Sequence, residues 1–405
     1  MSIDRNPAYA ALFRAQLGYL PEEDRYLTAS PEARYRLNLI GAGIIGQEHI
    51  RVTHLEGRAT IHGIYDPNPG SVAAAQREHG RFSREPLVVY DSLEAACDDA
   101  AADGLIIATP NDTHYPVVQV AAQSGKPILL EKPIATTLHD AYAITKLAEH
   151  HPAVFQIGLQ YRFKAIYAEA IYEVKARRTL GPVRMLSMLE HRIPFLDKVG
   201  QWNKFRERSG DSLVEKCCHY FDLLNLLAGA RPERVYASGG MAVNFKDFVY
   251  EGKPADVLDH ALVIIDYQGG VRASFNLCMF APMFYEELIV CGDGGRLKAS
   301  EQEDLMPQGG SGMQLELMLA DARPSRRTVP GYPALIERSG HHGATFIEHV
   351  HFVNAIAGLP SGAASAREGL WSVIVAAAAQ ASIARGAPVE IEAFLAEQGL
   401  AELRG

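Results

Sequence analysis

From Tyr35 onward, short apolar runs alternate with amphipathic stretches on a regular schedule. Residues 35–40 read as a strand ending in Gly41, and a helical pattern follows to Glu56. Further strands are predicted at 60–65, 87–90, 104–109, 127–130 and 153–157, with helical stretches between them at 71–79, 92–101, 113–124 and 137–150. Turn residues such as Asp66-Pro67-Asn68-Pro69 and Pro110-Asn111 close the strands. Short β-rich runs alternating with helices are βαβ units, and these build a parallel sheet. The segment 35–158 is therefore predicted to be a doubly wound α/β domain.

Beyond 159 the pattern changes. A helix is predicted near 166–176, then long alternating strands at 183–191, 233–239, 260–267, 270–280 and 285–290. Loops as short as Gln268-Gly269-Gly270 and Gly292-Asp293-Gly294-Gly295 suit antiparallel hairpins in one open sheet. Helices over 345–357 and 366–384 close the chain, and 304–312 reads as a mobile surface loop. The expected architecture is α/β plus α+β, with 159–405 as a mostly antiparallel open-sheet domain for substrate binding and oligomerisation. Ahead of both domains, 7–17 reads as a short amphipathic helix and 18–33 as a linker, making 1–34 an N-terminal extension lying on the surface.

Composition narrows the function classes. The chain has 405 residues, 48% hydrophobic and 21% charged, as in ordinary soluble proteins, and its net charge of −9 argues against a nucleic-acid partner. Its most apolar long run, 372–384, is much shorter than the roughly 20 residues a membrane crossing needs. Five cysteines without a CxxC pair suggest neither a disulfide framework nor zinc, and point to a reducing cytoplasmic setting. His349 and His351 form HxH, but positions i and i+2 of a helix point about 200° apart, so no metal site is expected.

Three groups carry candidate chemistry. Gly41-Ala42-Gly43-Ile44-Ile45-Gly46 is GxGxxG at the seam of a predicted strand and helix, with Asp66 ending the next strand. Glycines there allow a tight turn and close approach of a pyrophosphate, the helix N-terminus faces the phosphates, and the carboxylate reads a ribose diol. Together they predict a Rossmann dinucleotide site, and with no arginine directly after Asp66, NAD rather than NADP. Glu131-Lys132-Pro133 follows a predicted strand at the carboxyl edge of the sheet, where a lysine can polarise a carbonyl or stabilise an alkoxide. The Lys132–Pro133 peptide is a candidate for the cis form. In 210–222 a continuous helix would align Glu215, His219 and Asp222 at i, i+4 and i+7. A histidine takes a hydroxyl proton near neutrality, and a neighbouring carboxylate sets its orientation.

These motifs, with Thr109-Pro110-Asn111-Asp112-Thr113-His114, Gln160-Tyr161-Arg162-Phe163 and His219-Tyr220-Phe221-Asp222, resemble the glucose–fructose oxidoreductase / inositol dehydrogenase (Gfo/Idh/MocA) family from about Arg36 to the C-terminus. The resemblance implies an NAD-dependent oxidoreductase acting on a sugar or cyclitol, and a homo-oligomer, dimer or tetramer. It implies that Lys132 and His219 flank the reacting carbon, with Glu215 in place of the usual aspartate, orienting His219 or holding a hydroxyl. Cofactor contacts are implied for Thr109, Pro110, Asn111, His114, Glu131, Gln160 and Arg162, and Tyr161 is placed at the substrate. Cys217 replaces a usual glycine and unsettles the pocket shape. His341 and His342 resemble a segment near the substrate mouth. Trp202, Lys204, Arg206 and Arg208 could receive an anionic sugar, against the plainer reading of an exposed basic strip. An alternative with the same motifs is an NAD-dependent glycosidase that oxidises its sugar transiently, eliminates, hydrates and reduces again.

Overall fold

The structure is a computed structural model and describes residues 33–304, 311–321 and 323–404. The helix predicted over 7–17 and nearly all of the linker after it lie outside the described residues.

Six strands, β1 (Tyr35–Ile40), β2 (Ala59–Tyr65), β3 (Val88–Val89), β4 (Gly104–Ile107), β5 (Ile128–Glu131) and β6 (Phe155–Gly158), form an all-parallel sheet in the order β3-β2-β1-β4-β5-β6. Strands covered on both faces are apolar throughout: Leu105, Ile106 and Ile107 in β4 and Ile128, Leu129 and Leu130 in β5 are all fully buried. Polar side chains start the covering helices. Asn68 accepts from the backbone N–H groups of Gly70 and Ser71, and Thr137 accepts from that of Asp140. The strand order reverses between β1 and β4, which opens a crevice at their carboxyl ends.

The second sheet has nine strands in the order β16-β15-β14-β13-β7-β12-β11-β8-β17. These are β7 (Val183–His191), β8 (Pro232–Gly240), β11 (His260–Tyr267), β12 (Arg272–Cys278), β13 (Met283–Gly292), β14 (Gly295–Asp304), β15 (Ser311–Leu319), β16 (Arg326–Thr328) and β17 (Val389–Glu390); β9 (Val249–Tyr250) and β10 (Lys253–Pro254) make a separate small hairpin. All neighbours are antiparallel except β7 and β12. The open, mostly antiparallel sheet agrees with the sequence reading, but β14 to β17 are additions to it. In β14 the run Lys298 to Asp304 is almost wholly polar, so alternation gave no signal there. The predicted loop 304–312 shrinks accordingly: Asp304 ends β14 and Ser311 starts β15, with 305–310 outside the described residues. The helix predicted at 166–176 is α-helical over Ala165–Ile171 and widens to a π-turn over Tyr172–Ala176.

The C-terminal helices return to the first sheet. Helix Ala344–Ile356 lies beside helix Ile44–Glu56, where His349 meets His49 and Thr345 meets Glu48. Helix Ala366–Arg385 begins with a capping box of Ser365 and Glu368 and packs beside Leu138–His150, with Thr145 Oγ1 donating to Ala366 O. Division of the chain at a single point near 158 does not anticipate this exchange of elements. No described helix is long and apolar enough to cross a membrane.

Candidate active site

The glycine turn is built by backbone constraints. Gly41 has φ +90°, and a β-carbon there would stand 2.6 Å from the Ala108 carbonyl at the end of β4. A β-carbon on Gly46 would collide with Gly41 O. Gly43 has the opposite surroundings, with nothing within 4 Å of where a β-carbon would be. Beside it the helix N-terminus has no side-chain cap, Ile44 is exposed and Ile45 half-buried. This open cradle, at the switch between β1 and β4, fits a pyrophosphate. Asp66 Oδ2 accepts from Ala42 N at 2.7 Å and its Oδ1 from Asn68 N at 2.8 Å, so the carboxylate that would face a ribose also ties the turn to β2.

Across the crevice, Thr109 and Pro110 are half-buried, with Thr109 Oγ1 accepting from Thr113, while Asn111 donates to Ser209 O at 3.2 Å. His114 departs from its expected place along the cofactor. It is fully buried, and its ring nitrogens face the carbonyls of Pro133 (2.8 Å) and Thr109 (3.2 Å). Burial holds its pKa down, so the neutral ring donates to one of them and braces the turns that carry Thr109 and Lys132. The Lys132–Pro133 peptide is cis.

Glu131 and Arg162 are also turned inward, against the expectation that they touch the cofactor. Glu131 Oε1 is 3.0 Å from His49 Nε2, and its Oε2 accepts from Lys132 N. Arg162 is buried, clasping Asp222 through Nε and Nη2 at 2.6 Å each and Glu368 at 2.8 Å. A buried guanidinium with two carboxylates is a structural clamp between β6, the His219 helix and the last long helix. Gln160 is buried with its Oε1 unpartnered.

At the centre, the helix expected to run unbroken past Glu215 is two pieces, Ser212–Glu215 and Cys218–Ala228, interrupted at Lys216 and Cys217. Glu215 therefore leaves the i, i+4 relation to His219 and faces lysines instead. Its Oε1 lies 3.5 Å from Lys132 Nζ and 3.2 Å from Lys198 Nζ, and Lys132 also donates to Glu215 O at 2.9 Å. Burial opposes ionisation of Glu215, but the two lysines overcome it and bring its pKa to about 2. Lys132 answers in kind: burial works against its charge, and Glu215 raises its pKa regardless.

His219 is oriented by stacking rather than by Glu215. Its ring lies on Tyr161 with centroids 4.1 Å apart and planes 12° from parallel, and Nδ1 has no hydrogen-bond partner among the described residues. Burial, helped by the charges of Lys132, Lys216 and His341, holds its pKa well below 6.5, so the imidazole is neutral at pH 7. Tyr161 accepts from Lys216 Nζ at 2.5 Å, and Lys216 pairs with Glu190 at 3.2 Å. Cys217 lies in the core, so its thiol shapes the pocket only indirectly.

The cations that could have received an anionic sugar are each engaged by a nearby carboxylate. Lys204 is buried against Asp197 (2.5 Å), Gln201 and the rings of Phe245 and Phe248. Arg206 pairs with Asp211 at 2.8 Å and Arg208 with Asp112 at 3.1 Å. Trp202 does reach the site's edge, beneath Lys198 at 4.4 Å. His341 and His342 adopt positive φ and pair with Glu48 (2.7 Å) and Glu301 (2.9 Å). His341 faces the ring of Tyr161 across 6.4 Å. Lys198 was not foreseen; it lies in an irregular segment with no periodic signal. His351 stacks on Phe163, while His349 Nε2 meets His49 Nδ1 at 2.8 Å, so HxH is not a pair. Among the described residues a metal-type donor set occurs at the buried group His49, Glu131 and Glu348, with ligand atoms within 4.8 Å of one another.

Fold and site together define an NAD-binding oxidoreductase with a Rossmann sheet and a second, mostly antiparallel sheet. Residues 35–159 match the oxidoreductase-family NAD-binding Rossmann fold and residues 176–391 the same family's C-terminal α/β domain, and the chain belongs to this GFO/IDH/MocA family. It is 28% identical over 268 residues to an inositol 2-dehydrogenase of Rhizobium meliloti strain 1021, a match spanning 66% of this chain and 76% of that one. It is 29% identical over 199 residues to the rhizopine catabolism protein MocA of Rhizobium meliloti, spanning 49% of this chain and 59% of the relative's length. A levoglucosan dehydrogenase solved with NADH and levoglucosan shares the fold at TM-score 0.71 and 21% identity, covering 88% of this chain and 99% of that one.

Proposed function

We propose that the chain oxidises a hydroxyl-bearing carbon of a sugar or cyclitol, with NAD as the hydride acceptor. What carries the reading is a buried neutral imidazole beside an ammonium group, at the sheet edge that also holds the open glycine cradle. Gly41, Gly43 and Gly46 with Asp66 would hold the dinucleotide, which supplies the acceptor for hydride when bound. His219 takes the carbinol proton at an unprotonated ring nitrogen. Lys132 Nζ donates a hydrogen bond to the substrate oxygen as its charge grows, while Glu215 keeps that lysine protonated and aimed. Tyr161 fixes the plane of the imidazole. The activities of the inositol and levoglucosan dehydrogenases support a polyhydroxylated substrate.

Incubation with NAD and a panel of sugars and cyclitols, alongside chromogenic glycosides, tests the reading. NADH should accumulate one-for-one with the oxidised polyol. Aglycone release without net NADH would overturn it in favour of the glycosidase, whose specific support, the strip Lys204 to Arg208, is tied to local carboxylates. A cytoplasmic setting agrees with five unbridged cysteines. A homo-oligomer would cover the outer face of the second sheet, where Met185, Tyr236, Leu262, Ile264 and Met318 stand exposed, and sedimentation checks it.

A further inference from the structure

The lysines of the site are unequally provided for. Lys164 has two carboxylates, Glu286 at 2.7 Å and Glu301 at 2.5 Å, and they raise its pKa against the opposing effect of burial. Lys132 has both the carbonyl and the carboxylate of Glu215. Among the described residues Lys198 has only Glu215 Oε1 as an ion-pair partner, at 3.2 Å, and shares that oxygen with Lys132. Glu215 thus faces two ammonium groups at once; the next carboxylate, Glu131, acts on both from beyond ion-pair distance and is engaged by His49, so Lys198 is left with a shared partner beside the reacting centre. Burial lowers the pKa of Lys198, Lys132 adds to the effect, and Glu215 does not restore it. Its ammonium lies over the ring of Trp202 at 4.4 Å, and the side chain as a whole stays 26% exposed. A largely desolvated cation with half a partner lacks an anion.

We propose that Lys198 is a specificity-determining residue and that the substrate is an anionic polyol, a sugar acid whose carboxylate pairs with Lys198 Nζ while the hydroxyl to be oxidised lies between Lys132 and His219. Both ammonium groups lie within 3.5 Å of one oxygen, so the carboxylate belongs close to the oxidised carbon. One incompletely paired ammonium matches a carboxylate, whereas a phosphate would bring about −1.5 to −2. This inference rests on the proposed oxidation for the direction in which the substrate lies, but the anion subsite is tested without turnover.

Binding of D-gluconate and D-glucuronate to the protein–NADH complex is compared with that of uncharged D-glucitol and D-glucose, through the change in NADH fluorescence. The acids should bind at least about tenfold tighter, with the advantage shrinking at high salt. Lys198→Met should cost the acids at least about ten times more affinity than it costs the neutral polyols, and Lys198→Arg should keep most of the preference. Unchanged NADH affinity reports that each variant is folded. Acids binding no tighter than neutral polyols, or equal losses for both classes in Lys198→Met, would overturn the proposal and leave Lys198 as a support for Glu215. Failure of the oxidation itself shows separately, as preferential acid binding with no NADH formed from NAD and any polyol.

Discussion

The glycine turn and the lysine–histidine centre share one edge of the first sheet and are made in opposite ways. The turn is backbone. Gly41 and Gly46 shape it by having no β-carbons where Ala108 and the chain itself approach, and a single carboxylate, Asp66, fastens it. The centre is mostly side chains, contributed by the turn after β5, the loop after β7, two helical pieces and the turn after β6, with the Glu215 carbonyl as its one backbone contact named above. The first needs correct local geometry and tolerates water. The second depends on burial, which sets a neutral His219 beside charged lysines. Anion binding and proton transfer should therefore fail independently.

The largest expected effects lie in the centre. His219→Ala and Lys132→Met should each lower kcat by about 10³-fold, with NAD affinity moving less than about threefold in titrations, because both groups act on the transition state. Losses below tenfold in either would remove its assigned role.

Gly43→Ala tests the turn from the other side. The added methyl meets no protein atom, so thermal stability should change by less than about 0.5 kcal/mol, while NAD binding weakens by more than about tenfold as the methyl fills the cradle. Equal affinity would place the pyrophosphate elsewhere. Asp66→Ala should narrow the preference for NAD over NADP by about tenfold through loss of repulsion at the 2′-phosphate. Tighter NADP than NAD binding by the unmodified protein breaks that assignment.

The pH dependence of stability sharpens the contrast. Glu215 is held at about 2 against an ordinary 4.5, so the folded state binds fewer protons than the unfolded one between these values. Its stabilisation is complete above 4.5 and is lost as the pH falls towards 2. Thermal unfolding followed from pH 6 to pH 3 should show a steeper decline for the unmodified protein than for Glu215→Gln. Smallest of all, Arg208→Ala should change kcat/KM by less than about twofold, since Arg208 is engaged by Asp112 in a partly exposed pair, 37% and 28% exposed.

Which parts of this were legible follows from the range of the forces involved. The first sheet was readable because its strands are buried on both faces and its turns need glycine, proline and asparagine at fixed places; the strands expected at 104–109 and 127–130 appear as Gly104–Ile107 and Ile128–Glu131. Of the later strands, β14 is polar from Lys298 on apart from Ala299, and β16 and β17 are two or three residues long, so none of these shows the alternation of a half-buried strand; β15 does alternate, at Met313, Leu315 and Leu317, and that signal was there to be read. Asp66 stood out by its spacing from the glycines, whereas Lys198 had neither spacing nor pattern.

By itself, then, the sequence determined the parallel sheet, its glycine turn, Asp66 and the candidacy of Lys132, His219 and Glu215, all of which depend on backbone conformation or short-range periodicity. Only the tertiary structure decided what each ionisable group faces. It sent His114, Glu131 and Arg162 inward, gave Lys204 and Arg206 to local aspartates, turned Glu215 from His219 to two lysines, and brought Lys198 to the centre. The physical reason is that Coulomb interactions and desolvation act through space between segments far apart in the chain, and a residue's own neighbours in sequence carry no record of them.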